Sequence, residues 1–467
     1  MPTRLSAPHA LALHTQTAST PAHSTSLVIL EASAHLNHER LGRWAASALT
    51  RAARFRSRLA GKPFGAGQPV WADIADFDPA GRISQVTVPA PGGERELTAL
   101  LTDLMVAEIS AGTLWCAWTI DGLAGGRWAF AVALSPVLAD GGAGITAMWE
   151  RVLTGDLRTG HPGVREEATG PPPSRGGLVA DTLAELVENQ VAGVFMAADV
   201  LVRTLRDRCS GRKPTEGGSR AAPKAPRTQR RSTAFVSIPT ADLRAVSLAF
   251  GGDEANVLSA ACALSLQAWT QRHGGGGTET LAVAVPAGLV RLSVHPDDPV
   301  RVLTTMHTMT ERLAMAIADD DETVHPAVDL TAAVALVPPR LARMAAVIYT
   351  RFGLARWGTP NCHANVSFLP GWPARMYCAG SAVVGMYTVA PLTAGCGVNI
   401  SVTPRAEAMD LCVSACPDDS PEIDEIARGI ADAVRVFVDA AGMSPRGEGQ
   451  SVVTEMAAHS SRSSLRI

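Results

Sequence analysis

The chain has no apolar run long enough to cross a bilayer. Its longest, residues 128–139, holds about twelve residues and is interrupted by Pro136, whereas a spanning helix needs roughly twenty. Neither charge is in excess, with 41 basic against 44 acidic residues. No domain-wide basic stripe appears, so the electrostatics argue for no nucleic acid or other polyanion as partner. Residues 1–20 contain no compact apolar segment followed by a cleavage site, which points to a cytoplasmic protein. No Cys-x-x-Cys pair occurs among the eight cysteines; most stand among Ala, Val and Leu, and reduced, buried thiols are expected. Cys362 lies beside His363, but neighbours on a strand point to opposite faces, so no dyad is expected there. The twelve histidines are dispersed, and His35 with His38 has no third metal ligand nearby.

What is present is a large apolar fraction, 46% of residues against 18% charged, as in a folded protein with substantial cores. A chain of 467 residues exceeds one core, so two domains are expected. In the first, 26–30, 70–73 and 85–88 read as strands, 39–59 and 96–109 as helices, and 115–134 as a hairpin around Asp121-Gly122. A helix over 145–153 follows. In the second, strands are expected at 234–238, 281–286, 365–368, 380–389, 397–402 and 409–415. Helices are expected at 240–249, 254–272, 300–317, 338–349 and 421–440. Short strands alternating with helices define an α/β or α+β protein. The boundaries fall at 1–160 for the N-terminal domain, 161–232 for a connecting segment, 233–442 for the C-terminal domain and 443–467 for a frayed tail.

The connecting segment begins rich in Pro and Gly, continues as an apolar helix over 178–208, and ends in a basic run. Between 210 and 232 stand Arg212, Lys213, Arg220, Lys224, Arg227, Arg230 and Arg231 against a single Glu216. Two readings stay open: a solvated, disordered linker, or a contact with anionic lipid headgroups or coenzyme phosphates at a membrane or lipid-droplet surface.

The segment carrying most chemical information is Ser135-Pro136-Val137-Leu138-Ala139-Asp140-Gly141, between a strand-like run and a helix-like run. With Leu114-Trp115 and Ile120-Asp121-Gly122 upstream, it resembles the bacterial wax ester synthase/diacylglycerol acyltransferase family, whose turn reads His-His-x-x-x-Asp-Gly. The resemblance extends to Thr20-Pro21-Ala22-His23, Arg54-Phe55-Arg56, Val384-Gly385-Met386-Tyr387 and Pro391-Leu392-Thr393-Ala394-Gly395-Cys396-Gly397-Val398-Asn399-Ile400. It implies two coenzyme-A-dependent-acyltransferase-like domains, each a mixed sheet packed with helices, with a tunnel between them. It implies acyl-CoA as substrate or ligand, no further cofactor, and an alcohol or diacylglycerol as acceptor. Asn365 and Asn399 would contribute to substrate binding. The Ala, Gly and Arg content fits a GC-rich bacterial gene.

Departures from the family pattern qualify the activity. Aligned on Asp140-Gly141, the two histidines fall on Ser135 and Pro136, and the second histidine would be the general base. Losing such a base costs about 10² to 10⁴ in rate. Asp140 keeps its place as the residue that orients the loop. Ala255-Asn256 stands where the family carries Asn-Asp, Pro286-Ala287-Gly288-Leu289-Val290 is shortened, and Pro404-Arg405 replaces Ser-Tyr. The elements of the family's Asn-Val-Pro-Gly-Pro are split between Asn365-Val366 and Pro370-Gly371. Two functions follow: a family member without ordinary catalysis that binds acyl-CoA or lipid or partners an active paralogue, or an O-acyltransferase using another base. His23, His307 and His363 are the histidines considered for that base.

Overall fold

The computed structural model describes residues 5, 9, 13, 23–62, 68–106, 113–155, 176, 178, 231–273, 280–294, 298–320, 362–392, 396–417 and 422–442. The basic run up to residue 230, the expected helix at 178–208 apart from its first residue, the expected helix at 338–349 and the tail lie outside these residues. The first half runs through β1 (Ser24–Leu30), α1 (His38–Leu49), β2 (Ser57–Ala60), β3 (Val70–Asp73), β4 (Ile83–Thr87), α2 (Glu94–Val106), β5 (Trp115–Asp121), β6 (Trp128–Leu134), the one-turn α3 (Pro136–Ala139) and α4 (Ala143–Val152). The second half opens with β7 (Ser232–Pro239), α5 (Thr240–Phe250), α6 (Glu254–His273), β8 (Leu281–Val285), β9 (Gly288–Leu292) and α7 (Pro299–Asp320). It continues with β10 (Cys362–Phe368), β11 (Tyr377–Cys378), β12 (Ser381–Val389), β13 (Cys396–Pro404), β14 (Ala408–Ala415) and α8 (Ile423–Ala440).

The protein is a mixed α/β structure with two six-stranded sheets, ordered β11-β12-β1-β6-β5-β4 and β7-β14-β13-β10-β8-β9. Strands β11 and β12 come from the second half of the chain yet complete the first sheet, β12 lying antiparallel to β1 with Thr25 opposite Val389. The expected hairpin over 115–134 forms as β5 antiparallel to β6.

β6 shows why its sequence is apolar at nearly every position. Phe130, Val132 and Leu134 pack on one face with Trp149 of α4, while Ala129, Ala131 and Ala133 face a second cluster holding Leu97 and Leu101 of α2. A strand covered on both sides has no solvent face on which to place a polar residue. In the second half, α6, α7 and α8 cover one face of the sheet through Val257, Leu266, Met306, Ile430 and Phe437.

Two local expectations are corrected, and one strand is added where no element was expected. The helix expected over 39–59 ends at Leu49; Ser57–Ala60 instead pairs antiparallel with Val70–Asp73. The Arg56 guanidinium takes up the carbonyls of Thr50 and Arg51 at the break. The shortened segment after Pro286 is itself a strand, because Val285 and Gly288 pair across a tight turn. Finally, Cys362 and Cys396, expected to be reduced, are joined as a disulfide at paired positions of the parallel strands β10 and β13. Cys116, Cys262, Cys378, Cys412 and Cys416 are free; burial pushes the thiols of Cys262 and Cys378 up to about 12.

Candidate functional site

The turn after β6 carries Ser135 and Pro136 at its start and Asp140-Gly141 at its end. Ser135 donates its N–H to the Leu114 carbonyl (2.8 Å) and accepts at its own carbonyl from Leu138 and Ala139 (both 2.9 Å). Pro136 opens α3, a position where no backbone donor is needed and φ is already suited to a helix. The proline therefore fits the loop while offering no proton acceptor. Asp140, Gly141 and Gly142 then take three successive positive φ values of 44°, 62° and 112°, reversing the chain into α4. At Gly144 a Cβ would lie 1.7 Å from the Leu138 carbonyl oxygen, so only glycine allows α4 to start there.

Around this turn the side chains divide into two groups. The Asp140 carboxylate, about half exposed, meets the buried His9 imidazole at 2.9 Å. The Ser135 hydroxyl is buried and makes no hydrogen bond among the described residues.

Strand register locates Ser135 further. Ser24 pairs with Leu134 and Thr25 with Ala133, and His23 and Ser135 are the residues next beyond the last pair of this ladder. Directly opposed residues of an antiparallel pair share a face. That face carries Leu27, Ile29, Ala131 and Ala133, and it packs against Phe235 of β7 and Cys412 of β14, so it is turned toward the second half. Burial, then the nearby Arg231 guanidinium, lowers the His23 pKa below its ordinary 6.5. Arg231 is itself buried, donates to the Ala390 carbonyl at 3.3 Å, and is pushed down to about 10 by desolvation.

Asn365 and Asn399, at paired positions of β10 and β13, bond to each other through Asn365 Nδ2 and Asn399 Oδ1 at 3.1 Å. Asn399 Nδ2 donates to the Pro391 carbonyl at 2.9 Å. Consecutive carbonyls at 390 and 391 thus carry Arg231 and Asn399, beside the end of β12. Since Thr25 pairs with Val389, that end adjoins the start of β1. The sequence-derived residues Ser135, Asn365 and Asn399 accordingly gather around the end of β1, β6 and β12 that also holds His23.

The other candidate histidines stand apart. His363 Nδ1 accepts from the Ala282 N–H at 3.1 Å, and burial lowers its pKa. His307 pairs with Glu311 one turn along α7. The Asn256 carboxamide oxygen accepts from Thr310 Oγ1 at 2.7 Å, which ties α6 to α7.

At the opposite end of β12 a cavity of about 330 Å³ opens between the halves, lined by Arg127, Leu153, Val383, Met386, Trp372 and Arg405 among others. Beneath it Asp410, fully buried, accepts from Ser237 Oγ (2.6 Å), the Met386 N–H (2.7 Å) and Arg405. Burial opposes the Arg405 charge, but Asp410 outweighs it and holds that guanidinium above its ordinary range.

Sequence reasoning missed His9 and did not single out Arg231. His9 is far from the turn in sequence, and only the fold brings it to Asp140. Arg231 alternates with Thr233 and Phe235 at the start of β7, a two-residue period hidden by the arginine-rich run before it.

Two sheets joined through an exchanged strand, with a Ser-Pro-x-x-x-Asp-Gly turn at the end of β6, define an acyltransferase-like architecture. Residues 5–258 match the wax ester synthase/diacylglycerol acyltransferase catalytic domain and residues 285–436 the matching C-terminal domain. The chain belongs to this family. A putative diacylglycerol O-acyltransferase of Mycobacterium tuberculosis is 26% identical over 95% of this chain and 92% of its own length. A wax ester synthase/diacylglycerol acyltransferase from Marinobacter aquaeolei VT8 superposes with a TM-score of 0.69 at 20% identity, over 94% of this chain and 100% of its own. The first condensation domain of a calcium-dependent antibiotic synthetase, solved with a substrate analogue, gives 0.54 at 15% identity over 97% and 98% of the two chains. These last two share the fold.

Proposed function

We propose that this chain binds acyl-CoA or a lipid between its two halves and that its turn no longer runs the family's histidine-based acyl transfer. Membership of the family supports the ligand class. The observation that carries the second part is Pro136 at the first position of α3, in the place of the base. A role as a binding protein, or as the partner of an active paralogue, is consistent with a turn whose backbone scaffold is kept while its proton acceptor is gone.

The test is CoA release from a long-chain acyl-CoA with a long-chain alcohol or diacylglycerol as acceptor, run beside the Marinobacter enzyme. The expected rate is lower by at least about 10²-fold, the lower bound for a missing general base. Equal rates would contradict the reading. A second reading, O-acyl transfer with a base drawn from elsewhere in the fold, is favoured by one observation, that His23 and Ser135 each stand one residue beyond the Ser24–Leu134 pair.

A further inference from the structure

We infer that His23 is the relocated proton acceptor of this site, acting on an acceptor hydroxyl held beside Ser135 where the first sheet faces the second half. The inference rests on the acyl-CoA-binding reading above and adds the residue and the reaction. Ser24–Leu134 is the last pair of the ladder, and His23 and Ser135 are the residues next beyond it on the two chain segments. Their shared face, continued by Leu27, Ile29, Ala131 and Ala133, is the one packed against β7 and β14.

The surroundings fit the task. Burial, and after it the nearby Arg231 guanidinium, disfavours the charged form of His23, so the imidazole is neutral and able to accept a proton near pH 7. Ser135 presents a buried hydroxyl without a partner among the described residues. Such a group is costly to bury unless something bonds to it, and an acceptor hydroxyl placed between Ser135 and His23 would do so. Asn399, bonded to the Pro391 carbonyl, and its partner Asn365 border the same end.

The step balances without a further reagent. His23 takes the proton of the acceptor hydroxyl, and the oxygen's electron pair forms the new C–O bond at the thioester carbonyl carbon. The C–S bond breaks with its pair going to sulfur, and the imidazolium returns the proton to the thiolate, releasing CoA as the thiol.

The experiment measures acceptor-dependent CoA release and, separately, equilibrium binding of palmitoyl-CoA, for the full chain and for His23→Ala, His23→Gln and His307→Ala. The expected result is slow but acceptor-dependent release by the unmodified protein. His23→Ala and His23→Gln should lower it by about 10²-fold with palmitoyl-CoA binding unchanged, and added imidazole should restore part of the His23→Ala loss. His307→Ala should behave as the unmodified chain. Three outcomes overturn the inference while leaving the binding reading intact: palmitoyl-CoA binding without any release, release untouched in both His23 variants, or loss in His307→Ala alone. Weakened binding in His23→Ala equal to its loss of rate would assign His23 to ligand binding and overturn it as well. Failure to bind palmitoyl-CoA at all overturns the binding reading and this inference together.

Discussion

Met386 of β12 donates its backbone N–H to Asp410 of β14 at 2.7 Å, and that bond joins one sheet to the other. Asp410 is fully buried and also holds Ser237 and Arg405, so a single carboxylate gathers β7, β12, β14 and the β13–β14 turn. Glu94 supports the junction from the other side, its carboxylate accepting the Phe235 N–H at 2.8 Å.

Asp410→Ala would leave the Arg405 charge buried without its partner. Breaking a buried pair on one side costs about 3 to 5 kcal/mol. Urea denaturation should show that loss, and Asp410→Ala combined with Arg405→Met should recover part of it. A cost below about 1 kcal/mol for Asp410→Ala would mean that the junction does not depend on this carboxylate.

Gly144→Ala should destabilise the turn, because the added carbon would meet the Leu138 carbonyl oxygen at 1.7 Å and the start of α4 must shift. Overpacking of this kind costs about 1 to 3 kcal/mol. Thermal unfolding of Gly144→Ala beside Gly125→Ser checks it, since nothing lies within 4 Å of a Cβ at Gly125 and only its positive φ is at issue. The Gly144 variant should melt lower than the other.

Stability should fall as the pH drops below about 6.5. Burial lowers the pKa of His23 and His363 in the fold below their ordinary value of 6.5. The unfolded chain therefore binds protons that the folded chain refuses, and stability decreases with falling pH through that range. Melting temperatures between pH 7.5 and 5 should decline, and His363→Gln should flatten part of the slope. A melting temperature that rises on acidification would contradict this assignment.

The sequence was most informative where one local rule governs the backbone. The hairpin of β5 and β6 followed from two apolar runs around a Gly-rich turn, and α8 followed from its apolar periodicity. The motif at 135–141 was recognisable because residue types at fixed spacing carry the family likeness, and Pro136 could be read at once as a missing base. Contacts far apart in sequence were hidden. Nothing local in Ser381–Val389 says that this strand crosses to pair with Ser24–Leu30. For the same reason His9 on Asp140, separated by 131 positions, could not be read from spacing. The helix expected over 39–59 failed because alanine and arginine suit a helix, whereas pairing with Val70–Asp73 outweighed that weak preference.

The proposed function requires the chain to bind acyl-CoA although Pro136 stands in the place of the base. Calorimetric titration of the full chain with palmitoyl-CoA, set beside free CoA, tests it most directly. Saturable binding of palmitoyl-CoA is expected, at least about tenfold tighter than that of CoA, since each buried methylene contributes roughly 0.8 kcal/mol. Absence of saturable binding, or equal affinity for palmitoyl-CoA and CoA, would contradict it.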